Sequence, residues 1–124
     1  MILVDTSALV RSLTGPRDAL PRLEELVTAG ERLRLASLAL YEWRRGPRTP
    51  EELAYQEELF PSDEALPFDS AAALRAADLF RILGRPRRRQ IDLAIAATAL
   101  TAGARLWTLN VEDFADIPEL VLVE

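Results

Sequence analysis

The chain has 124 residues, 49% of them hydrophobic and 28% charged, a length and balance that suit one folded domain over residues 1–124 and exclude a disordered or fibrous chain. It holds no Cys and no His, and all 15 basic residues are Arg, so Lys is absent too. Disulfides, thiol and imidazole catalysis, Schiff bases and the phosphate-gripping lysine of nucleotide-binding loops are thereby excluded. The formal net charge of −5 also withholds the broad basic field of a passive nucleic-acid coat.

Ile2-Leu3-Val4 reads as a buried strand that stops at Asp5-Thr6-Ser7, a turn or helix start. The opening Met1-Ile2-Leu3-Val4-Asp5 has no basic region before its short apolar run, which argues against a secretion signal. No apolar run reaches the roughly 18 residues of a membrane span. A cytoplasmic protein without membrane association is expected.

Leu20, Leu23 and Val27 recur at helical spacing within 16–29, and Gly30 ends that helix. A second short strand follows over 33–36. Ser37 is placed to cap a helix with Leu38, Tyr41 and Glu42 on one face, running to Gly46-Pro47. Thr49-Pro50-Glu51-Glu52 carries a cap, a first-turn proline and early acids, and so starts a helix that Pro61 closes. A weak strand at 66–68 precedes Asp69, the cap of a long helix with Ala72, Ala76, Leu79, Phe80 and Leu83 as its apolar stripe. After Pro86 and Arg87-Arg88-Arg89, residues 91–102 are apolar on every side and predict a buried helix stopped by Gly103. Strands at 106–109 and 120–123 complete an α/β alternation, which implies a central parallel sheet flanked by helices.

In such a sheet, ligands bind beyond the carboxyl ends of the strands. Asp5 stands there after the first strand, and Asn110 and Asp113 stand there after the strand at 106–109, although each could also be a cap or turn residue. Asp92 lies inside the apolar run Ile91-Asp92-Leu93-Ala94-Ile95, where a carboxylate is costly unless paired with Arg87, Arg88 or Arg89 or bound to a metal. Glu42 is the only acid in 33–45, which suggests an inward-facing side chain, with an ion pair to Arg44 or Arg45 as the alternative. Four acids from four segments fit one cluster. Like charges that close raise one another's pKa unless a cation neutralises them, and an all-oxygen ligand set favours Mg2+ or Mn2+. Carboxylate-held divalent ions cleave phosphodiesters without His, Cys or Lys.

The segments Val4-Asp5-Thr6-Ser7-Ala8-Leu9, Glu42 with Gly46, Asp92-Leu93-Ala94-Ile95-Ala96-Ala97-Thr98-Ala99 and Thr108-Leu109-Asn110-Val111-Glu112-Asp113-Phe114 occur in that order. Together they resemble the PIN-domain ribonucleases, most closely the VapC-type toxins of toxin–antitoxin pairs. The resemblance implies a Rossmann-like three-layer fold, a homodimer and a small cognate antitoxin that covers the active site. It further implies an Mg2+- or Mn2+-dependent endoribonuclease whose metal-binding and catalytic acids are Asp5, Glu42, Asp92 and Asp113. Ser7, Asn110 and Thr6 match positions that support that site, and Asn110 stands where some relatives carry an acid, so one or two ions are both compatible.

Arg44, Arg45 and Arg48 follow Glu42, and Arg87, Arg88 and Arg89 precede Asp92, as RNA-phosphate contacts would. A solvated charged face, or pairing with the acids of 51–58, is the other reading. Trp43, Tyr41 and Trp107 could stack on bases, with Trp107 assigned to the core. The rival from another class is a non-catalytic PIN-like module that binds RNA or protein through these arginines. A two-carboxylate glycosidase would need more than 6% aromatic residues for its sugar cleft, and a phospho-receiver domain would need a Lys.

Overall fold

Residues 1–124 are all described by the computed structural model, and the first strand organises them. β1 (Ile2–Val4) is sealed from solvent along its whole length. Successive strand residues point to opposite faces, so Ile2 and Val4 enter one apolar cluster and Leu3 the other. β2 (Leu33–Leu35) and β3 (Arg105–Trp107) pair with β1 on either side, both parallel, with Val4 opposite Leu35 and Trp107. Two single-residue parallel bridges, Ala36 to Leu66 and Leu106 to Leu122, widen the sheet at its two edges.

Six α-helices cover the sheet: α1 (Thr6–Leu13), α2 (Leu20–Thr28), α3 (Ser37–Arg45), α4 (Pro50–Leu59), α5 (Ser70–Ile82) and α6 (Gln90–Ala102). The first cluster joins Ile2 and Val4 to Leu9 and Leu13 of α1, Leu23 and Leu26 of α2 and Trp107. The second joins Leu3 and Leu106 to Leu79 of α5 and to α6, whose residues Leu93 to Ala99 are buried without interruption. α3 serves both layers, since Trp43 belongs to the first cluster and Ala39 to the second. It touches α1 on one side and α6 on the other, which brings the carboxyl end of β1 and the start of α6 to one place. This is a three-layer α/β arrangement around a parallel sheet.

The cap chemistry explains the helix starts that were legible. Thr49 accepts from the Glu52 amide at 3.1 Å while Glu52 Oε1 accepts from the Thr49 amide at 2.7 Å, a complete capping box. Asp69 Oδ1 accepts from the Ala72 amide at 2.9 Å. Gly103 ends α6 at φ +65°, a left-handed conformation that favours glycine.

Several expectations are corrected. Helix α3 begins after Ala36, not Ser37, because the Ser37 amide donates to the Leu66 carbonyl at 2.7 Å and the edge bridge at Ala36 sets where the helix can start. Val27 faces solvent, since α2 buries the stripe of Leu23 and Leu26 instead. The strands expected at 66–68 and 120–123 reduce to the single bridges at Leu66 and Leu122. β3 stops at Trp107 because the next amides are taken by side chains: Leu109 N–H donates to Ser7 Oγ and Asn110 N–H to Thr108 Oγ1, each at 3.0 Å.

Candidate active site

Asp5 occupies the N-cap position of α1, yet its side chain caps nothing. Its amide is tied to the Trp107 carbonyl at 2.8 Å, which fixes the residue at the carboxyl edge of the sheet. Its carboxylate is 4% exposed, and Oδ2 accepts two hydroxyl hydrogen bonds of 2.8 Å, from Ser7 and Thr108. Ser7 in turn accepts from the Leu109 amide and Thr108 from the Asn110 amide. Each hydroxyl thus has its proton directed at Asp5 by a backbone donor behind it, a chain that pre-orients the carboxylate.

On α3 the fully buried stripe is Ala39 and Trp43; Leu38 packs partly buried against the second cluster, whereas Tyr41 is exposed and Glu42 lies on the flank of the helix. Glu42 is half-buried. Thr6 donates to its Oε1 at 2.7 Å, and Arg45 Nη2 lies 3.7 Å from Oε2, so the anticipated ion pair with Arg45 coexists with a place at the cluster.

Asp92 opens the buried face of α6. Burial pushes its carboxyl up to about 6, and the negative charges of Asp5, Asp113 and Glu42, in that order, push the same way. Arg89 opposes them as the weakest of the five influences. Asp92, at the start of α6, therefore lies within reach of the charges of the other three acids singled out in the sequence. No three of the four stand close enough together to ligate a single ion. The donor set, anionic oxygen throughout, fits a hard divalent cation such as Mg2+ or Mn2+ and suits no soft metal.

Asp113 closes a short 3-10 turn (Val111–Asp113) and has an exposed side chain. Arg89 holds the turn in place: Nη2 donates to the Asp113 carbonyl at 2.7 Å, and the guanidinium forks onto Asp116 at 2.9 and 2.6 Å. That pair holds the Asp116 carboxyl below the usual range. Arg89 is thus engaged within the chain, and its Nε is buried without a partner. Asn110, expected to support the site by hydrogen bonding, donates its backbone amide to Thr108 Oγ1 at 3.0 Å.

The remaining arginines divide. Arg48 Nε donates to the Trp43 carbonyl at 2.9 Å, and the guanidinium covers the Trp43 ring 4.2 Å from its centroid. Gly46 leaves room for it, since a Cβ there would come within 2.8 Å of Arg48 Nη2. Arg44 turns to α4, 3.4 Å from Gln56 Oε1 and 3.9 Å from Glu57 Oε2. Arg87 and Arg88 are exposed in the 3-10 turn (Arg87–Arg89) before α6, and Arg45 is exposed beside Glu42. Trp43 and Trp107 are both buried, so neither is a surface for bases.

Sequence reasoning missed two residues. Thr108 donates to Asp5 across 103 positions of sequence, and Asp116 anchors Arg89 across 27. Nothing local marks either, although Thr108 directly follows a strand that already pointed to the site. Asp116→Asn is expected to change stability by less than about 1 kcal/mol, because the pair is largely at the surface. Thermal denaturation of the variant beside the parent protein checks this.

A family model described as the PIN domain matches residues 2–120. Ribonuclease VapC19 of Mycobacterium tuberculosis is 34% identical over a 129-residue alignment that covers 97% of each chain. Among solved structures, VapBC2 from Rickettsia felis bound to a promoter DNA fragment superposes with a TM-score of 0.79 at 23% identity, covering 99% of this chain and 98% of that one. VapBC-5 from Mycobacterium tuberculosis gives a TM-score of 0.65 at 29% identity, with 98% and 97% covered. The PIN-domain model over residues 2–120 and 34% identity across 97% of the chain to a VapC ribonuclease, on a parallel sheet of the same fold, establish that the chain belongs to the PIN-domain family and is of the VapC type.

Proposed function

We propose that the protein is an endoribonuclease dependent on Mg2+ or Mn2+ and the toxin of a type II toxin–antitoxin pair. The observation that carries the reading is Asp92, a carboxyl in the flank of a buried helix whose ionisation is opposed first by burial and then by three other acids. Evolving such a cluster for stability makes no physical sense, because unneutralised like charges destabilise the fold that holds them. Asp5, Glu42, Asp92 and Asp113 would hold the cation, which supplies Lewis-acid activation of water and charge stabilisation for phosphodiester hydrolysis. Ser7 and Thr108 fix the Asp5 carboxylate, Thr6 fixes Glu42, and the Arg89 clamp fixes the turn of Asp113. Arg45, Arg87 and Arg88 are placed to meet RNA phosphates, while Arg44, Arg48 and Arg89 are engaged within the fold.

The partners follow the same reading. VapC19 is named a ribonuclease, and the solved relatives are toxin–antitoxin complexes, which supports an RNA substrate and a cognate antitoxin. An apolar cavity of about 490 Å3 between α5 and α6, lined by Leu38, Phe68, Phe80, Ile91 and Leu93 among others, suits an apolar antitoxin segment. Leu74 and Ile82 of α5, 71% and 67% exposed, supply surface for a homodimer. No helix is long and apolar enough to cross a membrane, and a cytoplasmic site of action fits an RNA substrate.

The test is incubation of purified protein with total RNA in Mg2+ or Mn2+, with and without EDTA. Cleavage that EDTA abolishes is the expected result. Cleavage that persists in EDTA contradicts the metal mechanism, and RNA binding without cleavage under any divalent ion would favour a non-catalytic binding module.

A further inference from the structure

Tyr41 immediately precedes Glu42 in α3 and is 56% exposed, more than any other aromatic residue of the chain. The contrast with the other tyrosine and the tryptophans is sharp. Tyr55, the only other tyrosine, packs against the first apolar cluster, and both tryptophans lie inside it. Tyr41 belongs to neither cluster. Its ring is instead covered on one side by the Arg45 guanidinium, 5.2 Å from the centroid, and the same guanidinium reaches within 3.7 Å of Glu42 Oε2. Residues i, i+1 and i+4 of one helix thus place an open π-face, a mobile cation and a carboxylate of the acidic cluster side by side.

We propose that Tyr41 and Arg45 form a nucleobase-stacking subsite at the mouth of the acidic cluster, a proposal that rests on the RNA-cleaving reading of that cluster. The ligand is an unpaired base of single-stranded RNA next to the scissile phosphodiester. It stacks on the open face of Tyr41, while Arg45, bound to Glu42 only by a long surface contact, turns to the phosphate of the same nucleotide. Stacking on an aromatic face tolerates any base, so the subsite selects for unpaired RNA and not for one sequence. A base held here orients the backbone toward Asp5 and Asp92, which makes Tyr41 a positioning residue.

The proposal is tested by binding of a short unstructured oligoribonucleotide to Asp5→Asn protein, with and without Tyr41→Ala or Tyr41→Phe in addition. Tyr41→Ala should weaken binding by roughly tenfold, within the range of one lost base stack, and Tyr41→Phe should retain affinity. Scanning a single abasic nucleotide along the oligonucleotide should find one position whose loss costs as much as Tyr41→Ala and costs nothing further in the Tyr41→Ala protein. Because the side chain is exposed, the melting temperature should not move. Affinity within twofold of the parent, or abasic losses that add to Tyr41→Ala at every position, overturns the subsite. A change in sedimentation on Tyr41→Ala also overturns it, by assigning the ring to contact with a second copy. These readouts require no cleavage, so failure of the ribonuclease reading shows separately, as wild-type protein that cuts no RNA in any divalent ion.

Discussion

Replacing Asp5 with Asn is expected to lower RNA cleavage by orders of magnitude while RNA affinity holds or rises. The substitution keeps the size of the side chain and its place at the edge of β1 but removes the charge that a divalent cation requires. Affinity is spared because the acids repel a polyanion, and one fewer negative charge at the site eases its approach. The supporting hydroxyls predict a graded effect. Thr108→Val removes one of the two donors that orient Asp5 Oδ2, and loss of such a partner behind a metal ligand should cost roughly 10–100-fold in activity or metal affinity. Single-turnover cleavage and filter binding on the same preparations separate chemistry from binding. Equal losses of affinity and cleavage on Asp5→Asn would place Asp5 in RNA binding and not in the chemistry.

Asp92→Asn is expected to abolish cleavage and yet stabilise the metal-free protein at neutral pH. In the folded chain the Asp92 carboxyl ionises near 6 instead of near 3.8, so its ionised form is disfavoured by folding. The group carries no penalty while protonated below about pH 4. The penalty grows as pH rises from there through 6 and is complete above it. One pKa unit corresponds to about 1.4 kcal/mol, and partial solvation of the half-buried group brings the expected gain to about 2 kcal/mol at pH 7.5. Thermal denaturation in EDTA should show the variant several degrees above wild type at pH 7.5 and level with it near pH 4. Millimolar Mn2+ should narrow the gap at pH 7.5 by stabilising only the wild type. A variant less stable than wild type at both pH values would mean that Asp92 is held by favourable interactions and not opposed by its neighbours. On the proposed reading, the position of Asp92 exchanges stability for chemistry, as strained functional sites do.

The parts of the fold legible in the sequence were those with local causes. Thr49 and Asp69 announce α4 and α5 because their side chains bond amides three residues on. The buried run of α6 shows itself by composition, and Gly103 by the need for a left-handed residue at its end. Helix α1 is legible only as a turn or helix start, and the residue in its capping position, Asp5, gives its carboxylate to Ser7 and Thr108 and not to the helix amides. The edge positions at Leu66 and Leu122 look like strands by hydrophobicity but make only one bridge each, a matter of how the loops return to the sheet.

The site divides along the same line. Strand ends and an apolar helix expose Asp5 and Asp92 to a reader of the sequence, since a charge in either place needs a reason. The arginines did not sort themselves, because Arg44, Arg48 and Arg89 differ from Arg45, Arg87 and Arg88 only in what the fold brings to them. Arg89 meets Asp116, Arg48 meets the Trp43 ring, and Arg44 meets α4. Charge in sequence names candidates; only tertiary contacts show which remain free for a ligand.

The central claim is that four carboxylates from four segments take up one cation site. Anomalous diffraction from crystals grown with Mn2+ tests it most directly. The account predicts a manganese peak at coordination distance from Asp5 and Asp92, with Glu42 and Asp113 as further ligands directly or through water, and no such peak at this site in Asp5→Asn protein. Manganese bound elsewhere, or four carboxylates that remain apart in saturating Mn2+, would contradict it.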